Sequence, residues 1–314
     1  MKKKPTKTTY RLRNWREYNA ALERRGSLTL WVSEEVVQAW RQTKRTGKKG
    51  HPQDYSDLAI LTLLTLQEVY HLPLRGTRGL ARSIFALLKL DLPVPSASQI
   101  CRRRQTLEVA LPRAKSTQPV HLVVDSTGVK VCGEGEWKVR QHGYSYRRTW
   151  RKLHLGVDEN TGLILAAVVT TNHYSDGQIL PDLLEQVEEE LSQVSADGAY
   201  DKRNCYDSLR ARGATATIPP QRNARIWQHG NSKAERLGRD QNLRRIRQIG
   251  RGAWKKESGY HRRSLAETMM FRAKTMFGDH VSARSFKGQA TQLLVRCATL
   301  NRMTQLGMPD SVKA

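Results

Sequence analysis

Cysteine is scarce in this chain, and long apolar runs are missing from it. Four cysteines, Cys101, Cys132, Cys205 and Cys297, stand far apart in 314 residues, and none forms a C-x-x-C pair. That argues against a zinc ribbon or a disulfide framework. The longest mainly apolar run, Leu58 to Leu66, is nine residues with two threonines. About 20 are needed to cross a bilayer, so no membrane span is expected. The N-terminus, "MKKKPTKTTYRLRNW", is basic, but no apolar signal core follows it. A reducing cytoplasm is the expected compartment. Nine histidines are scattered without ligand spacing and read as structural or surface residues.

Acidic residues are short at both ends. Residues 1–116 hold 23 Lys/Arg against 9 Asp/Glu, and residues 219–314 hold 20 against 6. Between them, residues 117–218 hold 11 against 14. The net formal charge is +25. Such an excess calls for an anionic partner, nucleic acid or a membrane surface, without choosing between them. A protein that merely coats DNA has little use for the acidic centre.

The pattern along the chain predicts two modules. Residues 1–115 read as a mostly helical basic module. "NWREYNAALERRG" is a helix closed by Gly26, and "SLTLWV" alternates like a strand. "SEEVVQAWRQTKR" starts at Ser33 as N-cap and ends in basic residues, as a helix dipole favours. "YSDLAILTLLTLQEVYH" is a buried helix, and "RGTRGLARSIFALLKLD" is another. "VPSASQICRRRQTLEVAL" is one more, exposing Arg102, Arg103 and Arg104. A helix-turn-helix-like DNA reader fits this module, although counting arginines does not say which helix enters a groove.

Residues 116–310 change character. "VHLVVDSTGVKV" is β-rich and runs into a turn, and "RKLHLGVDENTGLILAAVVTTN" reads as two strands joined at "DENTG", a hairpin. "SDGQILPDLLEQVEEELS" is a helix, "QVSADGAYD" a short strand, "KRNCYDSLRARG" a helix stopped by Gly213, and "ATATIPP" a strand. This order predicts an α/β module on a mixed sheet. From about 221 to 259 a polar, arginine-rich insertion follows, containing Arg239, Arg244, Arg245 and Trp254. Helices resume with "YHRRSLAETMMFRAK".

Three carboxylates stand out. Asp125 follows Leu122-Val123-Val124, which suggests the carboxyl end of a central strand buried on both faces. Asp197 follows the short strand "VSA". Two aspartates at neighbouring strand tips repel each other and favour a cation between them. Each alone also fits a turn residue. Glu267 lies on a helix where Tyr260, Arg263, Glu267 and Lys274 share an arc of about 60°. Leu265, Met269, Ala273 and Met276 form a separate apolar stripe. Helix geometry alone admits either a metal ligand or a surface Arg263–Glu267 pair, worth about 0.3–0.5 kcal/mol.

"DSTG", "ADGAYD" and "YHRRSLAETMMFRAK" together resemble the catalytic core of bacterial insertion-sequence transposases of the DDE type. The last matches the Y-x2-R-x3-E-x6-K signature at Tyr260, Arg263, Glu267 and Lys274. "NWREYNAALERRGSLTLW" and "YSDLAI" resemble the insertion sequence 5 family, in particular its insertion sequence 903 branch. The likeness runs from about Asn14 to Met303, and the four-residue signature is its most specific part.

The resemblance implies an RNase H-like fold and a DNA transposase. Asp125, Asp197 and Glu267 would be catalytic residues holding two Mg2+ ions, with Mn2+ as a substitute. Hard cations of this kind prefer carboxylate oxygens. Tyr260, Arg263 and Lys274 would contact DNA, joined by Arg102, Arg103 and Arg104 and by Arg244, Arg245 and Trp254 of the insertion. The implied partners are double-stranded DNA, as transposon ends and target, and a second copy of the chain, giving a homodimer or higher on DNA. Neither a small-molecule substrate nor a membrane is implied. A bacterial cytoplasmic protein associated with the nucleoid follows. A nuclease or resolvase without strand transfer, or a non-catalytic DNA-binding relic, are the competing readings.

Overall fold

A computed structural model describes residues 10–42, 54–113, 117–131, 150–228 and 237–313. The basic tail before Tyr10, the linker at 46–53, Cys132 and Arg236 lie outside them. The chain forms two compact units, one of Met1–Ile100 with Thr299–Ala314, the other of Cys101–Ala298. Among the described residues no helix is long and apolar enough to cross a membrane.

The first unit is helical. It contains α1 (Trp15–Arg25), α2 (Leu28–Trp31), α3 (Glu34–Gln38), α4 (Asp57–Val69) and α5 (Leu74–Leu87). Ser33 and Ser56 cap α3 and α4, accepting from Val36 N and Ala59 N, which satisfies amides the helix start leaves free. Helix α4 is buried nearly all round, as its composition predicts, with Ile60, Leu63 and Leu66 at 0% exposure. Trp40 packs edge-on against Phe85, ring centroids 4.9 Å apart, and donates through Nε1 to Pro93 O at 2.7 Å. A short β1 (Tyr10–Leu12) pairs antiparallel with β8 (Ser311–Lys313), the far end of the chain.

Two expectations fail here. "SLTLWV" is not a strand: Leu28–Trp31 is a helical turn. Trp31 and Val32 are consecutive and both buried, which a half-exposed strand cannot arrange because its successive side chains face opposite ways. Helix α3 also stops at Gln38, short of the basic run. Trp40 O instead accepts from Ser56 N, and Arg41 bridges to Tyr55, which turns the Trp40 ring inward.

The second unit is the mixed α/β fold predicted. Its sheet has the order β4 (Ile164–Thr171), β3 (Trp150–Asp158), β2 (Val120–Val131), β5 (Leu191–Ser195), β6 (Thr215–Thr217), and β7 (His280–Val281) also pairs with β2. Strands β2, β3 and β4 are antiparallel, and β5 and β6 join in parallel. This is the RNase H-like arrangement expected. The hairpin turns at "DENTG" as read. Asp158 accepts from Asn160 N, Thr161 N and Thr161 Oγ1, and Gly162 takes φ +68°.

Helices α7 (Asp176–Glu185) and α8 (Arg203–Ala211) cover one face, burying Leu122, Val124, Ile179, Leu183, Val194 and Leu209. Helix α6 (Ala97–Arg104) precedes the sheet. After β6 come α9 (Gly238–Ile249), α10 (Arg251–Glu257), a 3-10 turn (Tyr260–Arg263), α11 (Ser264–Phe277) and α12 (Phe286–Gln305).

The basic insertion is anchored, not a free arm. Asn242 Nδ2 donates to Ala216 O on β6 at 3.0 Å. Arg239, 3% exposed, reaches Asp201 at 2.7 Å, Asp240 at 3.3 Å and Arg225 O at 2.8 Å, with its guanidinium 3.7 Å over the Trp227 ring. Arg239 is therefore not available to DNA.

Candidate active site

Strand β2 does not end at Asp125, contrary to expectation. Pairing with β3 carries it on, with Asp125 opposite Leu155 and Lys130 opposite Trp150. What ends is the parallel ladder with β5, whose last pair is Val123 with Ser195. Asp125 and Asp197 each lie two residues beyond that pair. Adjacent strands run about 4.8 Å apart, so the register brings two carboxylates to one level where β2 and β5 part. Asp197 then caps a 3-10 turn (Gly198–Tyr200), accepting from Ala199 N at 2.9 Å.

Neighbouring strand residues point to opposite faces, and Asp125 and Ser126 do so. Asp125 meets the helix α11 side: Arg263 Nη1 donates to its Oδ2 at 2.9 Å. Ser126 meets the α7 side: its Oγ donates to Asp176 Oδ1 at 2.9 Å. Arg263 also donates through Nη2 to Glu267 Oε1. One guanidinium thus ties Asp125 to Glu267, which sits exposed in the first turn of α11, where a helix N-terminus favours negative charge. Burial pushes the Asp125 carboxyl above the usual carboxylate range. The Ser126 N–H and Arg263 oppose this, and the charges of Asp197 and Glu267 add to it. Asp197 and Glu267 therefore both act on Asp125 electrostatically.

The donor set is carboxylate oxygen throughout, which suits a hard divalent cation and no soft one. Among the described residues, no group of three or more His, Cys, Asp or Glu is gathered as a metal cage. Arg263 supplies the positive charge between Asp125 and Glu267 in this arrangement. The residues fit a divalent ion by chemistry, with Arg263 as the group that must yield oxygen atoms to it.

The remaining predicted residues divide. Tyr260 lies under Lys255, Nζ 4.9 Å from its ring, and 6.2 Å from the Trp254 ring. Lys274 is half-buried in the last turn of α11, with no ion-pair partner among the described residues. The buried face of α11 runs through Ala266, Met269, Met270 and Phe277. It is turned by about 60° from the stripe expected at Leu265, Met269, Ala273 and Met276. Arg102 is exposed and Arg103 half-buried. Arg104 is 5% exposed, a correction: Thr291 Oγ1 donates to its carbonyl, and its stem passes 3.7 Å from where a Gly288 Cβ would be. Trp254 is also corrected. It is 2% exposed and bonds Asn242 Oδ1 through Nε1, so it anchors α10 and cannot stack on a base. Arg244 donates to Gln228 O, and exposed Arg245 pairs with Glu257 at 2.9 Å.

Sequence reasoning missed a polar cluster on the opposite face. Lys152 Nζ reaches Asp176 Oδ1 at 3.2 Å, and His154 Nδ1 lies 3.7 Å from the same oxygen. His154 is fully buried, its Nε2 2.9 Å from Thr170 Oγ1. The signal was there: Lys152 and His154 alternate with apolar residues in "RKLHLGV". Burial first, and Lys152 after it, lower the His154 pKa to about 4, against the pull of Asp176.

That shift predicts an acid weakness. The folded state keeps the ring neutral while the unfolded chain takes a proton. The stability is full above the unfolded pKa of 6.5 and is lost as pH falls through about 4. Near 1.4 kcal/mol per unit, the loss is about 3 kcal/mol. In urea titrations His154→Gln should be less stable than wild type at about pH 7, with the gap narrowing by about 2–3 kcal/mol at about pH 4.5. Parallel pH profiles would rule His154 out as the source.

Solved structures resemble the chain only remotely. A piggyBac transposase synaptic complex with hairpin DNA matches 91% of this chain and 75% of its own at 11% identity and a TM-score of 0.39. A Drosophila P element transposase strand transfer complex matches 87% and 85% at 10% identity and 0.31. Likenesses so distant carry no argument about the site. Two family models, each described as a transposase DDE domain, match residues 23–134 and 116–302. The second spans more than half of the sequence and contains Asp125, Asp197 and Glu267, and on that match the chain belongs to the DDE transposase domain family.

Proposed function

We propose that this is a bacterial insertion-sequence transposase of the insertion sequence 5 family, close to its insertion sequence 903 branch. It binds the terminal inverted repeats of its element, cuts there, and joins the freed 3′ ends to target DNA. The observation that carries the reading is the shared level of Asp125 and Asp197 beyond the Val123–Ser195 pair, tied through Arg263 to Glu267.

Asp125, Asp197 and Glu267 would together hold two Mg2+ ions. Mn2+ is the natural substitute. When bound, such a pair activates a water or 3′-hydroxyl and stabilises the leaving oxygen. Arg263 holds Asp125 and Glu267 in place, and its N–H groups suit hydrogen bonds to a DNA phosphate. Lys274 lies two turns, about 10.5 Å, along the axis from Glu267. Its flexible stem suits a phosphate contact. Tyr260, together with Arg102 and Arg103 in α6 and Arg244 and Arg245 in α9, supplies the remaining DNA contacts of the reading. Two ends must be brought together, so at least a dimer forms on DNA, in the bacterial cytoplasm.

The test is purified protein, Mg2+ and DNA carrying the repeats that flank the element. Cleavage followed by joining to a second DNA is the expected result. Cleavage without joining would make it a nuclease, and binding alone a relic; either outcome overturns the reading.

A further inference from the structure

Alternate residues of β2 share a face, so His121 and Val123 look the same way as Asp125. On β5 the register sets Gln193 opposite His121 and Ser195 opposite Val123. A polar layer of His121, Gln193 and Ser195 therefore precedes the acids, on the side away from the core of Leu122, Val124 and Val194.

These side chains are joined to one another and to the segment above them. His121 Nε2 lies 2.8 Å from Ser195 Oγ, and Ser195 is fully buried. Gln193 Nε2 donates to Thr217 Oγ1 of β6 at 2.9 Å and to Ser258 O at 3.2 Å, and lies 3.4 Å from Ser195 Oγ. A backbone carbonyl only accepts, which fixes the Gln193 amide with its nitrogen toward Ser258. At the other end, Glu159 N donates to His121 O at 2.9 Å, and His121 Nδ1 lies 3.9 Å from Glu159 Oε2. Arg262 pairs with Glu159 Oε1. The network thus leaves the segment at Ser258, crosses the sheet through Gln193, Ser195, His121 and Glu159, and returns at Arg262.

Ser258 and Arg262 lead directly into Arg263, which ties Asp125 to Glu267. Gly259, at φ +67°, separates the 3-10 turn from α10, so the turn does not simply continue that helix. Directed hydrogen bonds in a joined polar network select one arrangement where apolar packing admits several.

We propose that Gln193 and Glu159 are positioning residues of the acidic site: their ties to Ser258 and Arg262 fix the 3-10 turn on the sheet and so set where Glu267 stands relative to Asp125. The proposal rests on the metal-binding role given above to the three acids, and it adds residues that touch none of them.

Gln193→Met keeps the length of the side chain and removes the donor. Arg262→Ala cuts the other tie at an exposed side chain, where folding is not at risk. Two measurements on the full chain without DNA test both variants. In EDTA, hydrogen exchange of the amides of residues 259–268 should be about tenfold faster than in wild type, with those of β2 and β3 unchanged. Mn2+ binding, followed by electron paramagnetic resonance, should weaken about tenfold, as loss of outer-shell support does. Unchanged exchange over 259–268 would overturn the proposal, since other contacts would then hold the turn. Faster exchange with wild-type Mn2+ affinity would also overturn it and leave the network a purely structural one. Should Gln193→Met fail to fold, Arg262→Ala alone decides between these results. Absence of Mn2+ binding in the wild type would sink both this proposal and the role of the acids.

Discussion

Asp125→Asn should leave repeat binding nearly intact and lower Mg2+-dependent cleavage by about 10³-fold or more. The change keeps the side chain's shape and removes one of the charges that would hold the ions. Charge stabilisation by bound metal is worth several kcal/mol in the transition state, and about 4 kcal/mol is about three decades in rate. The same substitution should raise the Tm in EDTA at neutral pH. Because the Asp125 carboxyl is shifted up by burial, Asp197 and Glu267, the native state keeps a proton that the unfolded chain has released. Stability therefore falls as pH rises from the ordinary carboxylate range through the raised pKa, and the whole deficit is present above it. A neutral amide removes that deficit, at the cost of one bond to Arg263. A variant that is inactive and more heat-stable without metal is the expected signature. Near-normal strand transfer would remove Asp125 from the site, and a lower Tm in EDTA would mean that the Arg263 pair outweighs the repulsion.

Arg239→Ala should cost about 3–5 kcal/mol, because it leaves Asp201 and Asp240 as buried charges without their cation. Among the described residues Asp201 then keeps Tyr206 OH and Gln221 N, and Asp240 keeps the amides of Trp227 and Gln228. Arg239→Lys should recover little. A single ammonium cannot reach both carboxylates and Arg225 O while stacking over Trp227, as the planar guanidinium does. Urea midpoints measure both variants. A loss under about 1 kcal/mol for Arg239→Ala would place this arginine among the weakly coupled surface charges.

The parts of this fold that were legible have local causes. Asp158, Thr161 and Gly162 make their own turn, so the hairpin could be read from five letters. The caps of α3 and α4 depend on residues three apart. The parts that were missed depend on distant partners. "DSTG" is made of turn-forming residues, and only the nine-pair ladder with β3 keeps it extended. Arg239 looks like any other arginine of the insertion until Asp201, 38 positions earlier, is found beneath it. Trp254 and Arg104 were given to DNA because their burial is fixed by Asn242, Gly288 and Thr291. The three acids were proposed from order and resemblance. The common level of Asp125 and Asp197 follows from a strand register that no single segment encodes.

The pairing of Leu12 with Ser311 and of Tyr10 with Lys313 has a consequence for synthesis. Chains emerge from the ribosome at about 5–20 residues per second, and domains generally close in order from the N-terminus. Here the first unit takes its last strand from the far end of the chain, so β1 waits for roughly 300 residues, about 15–60 s at those rates. The six-stranded sheet, complete in sequence by Val281, can assemble before the helical unit is finished. A chain cut before Ser311 would contain Asp125, Asp197 and Glu267 and leave β1 without its partner strand.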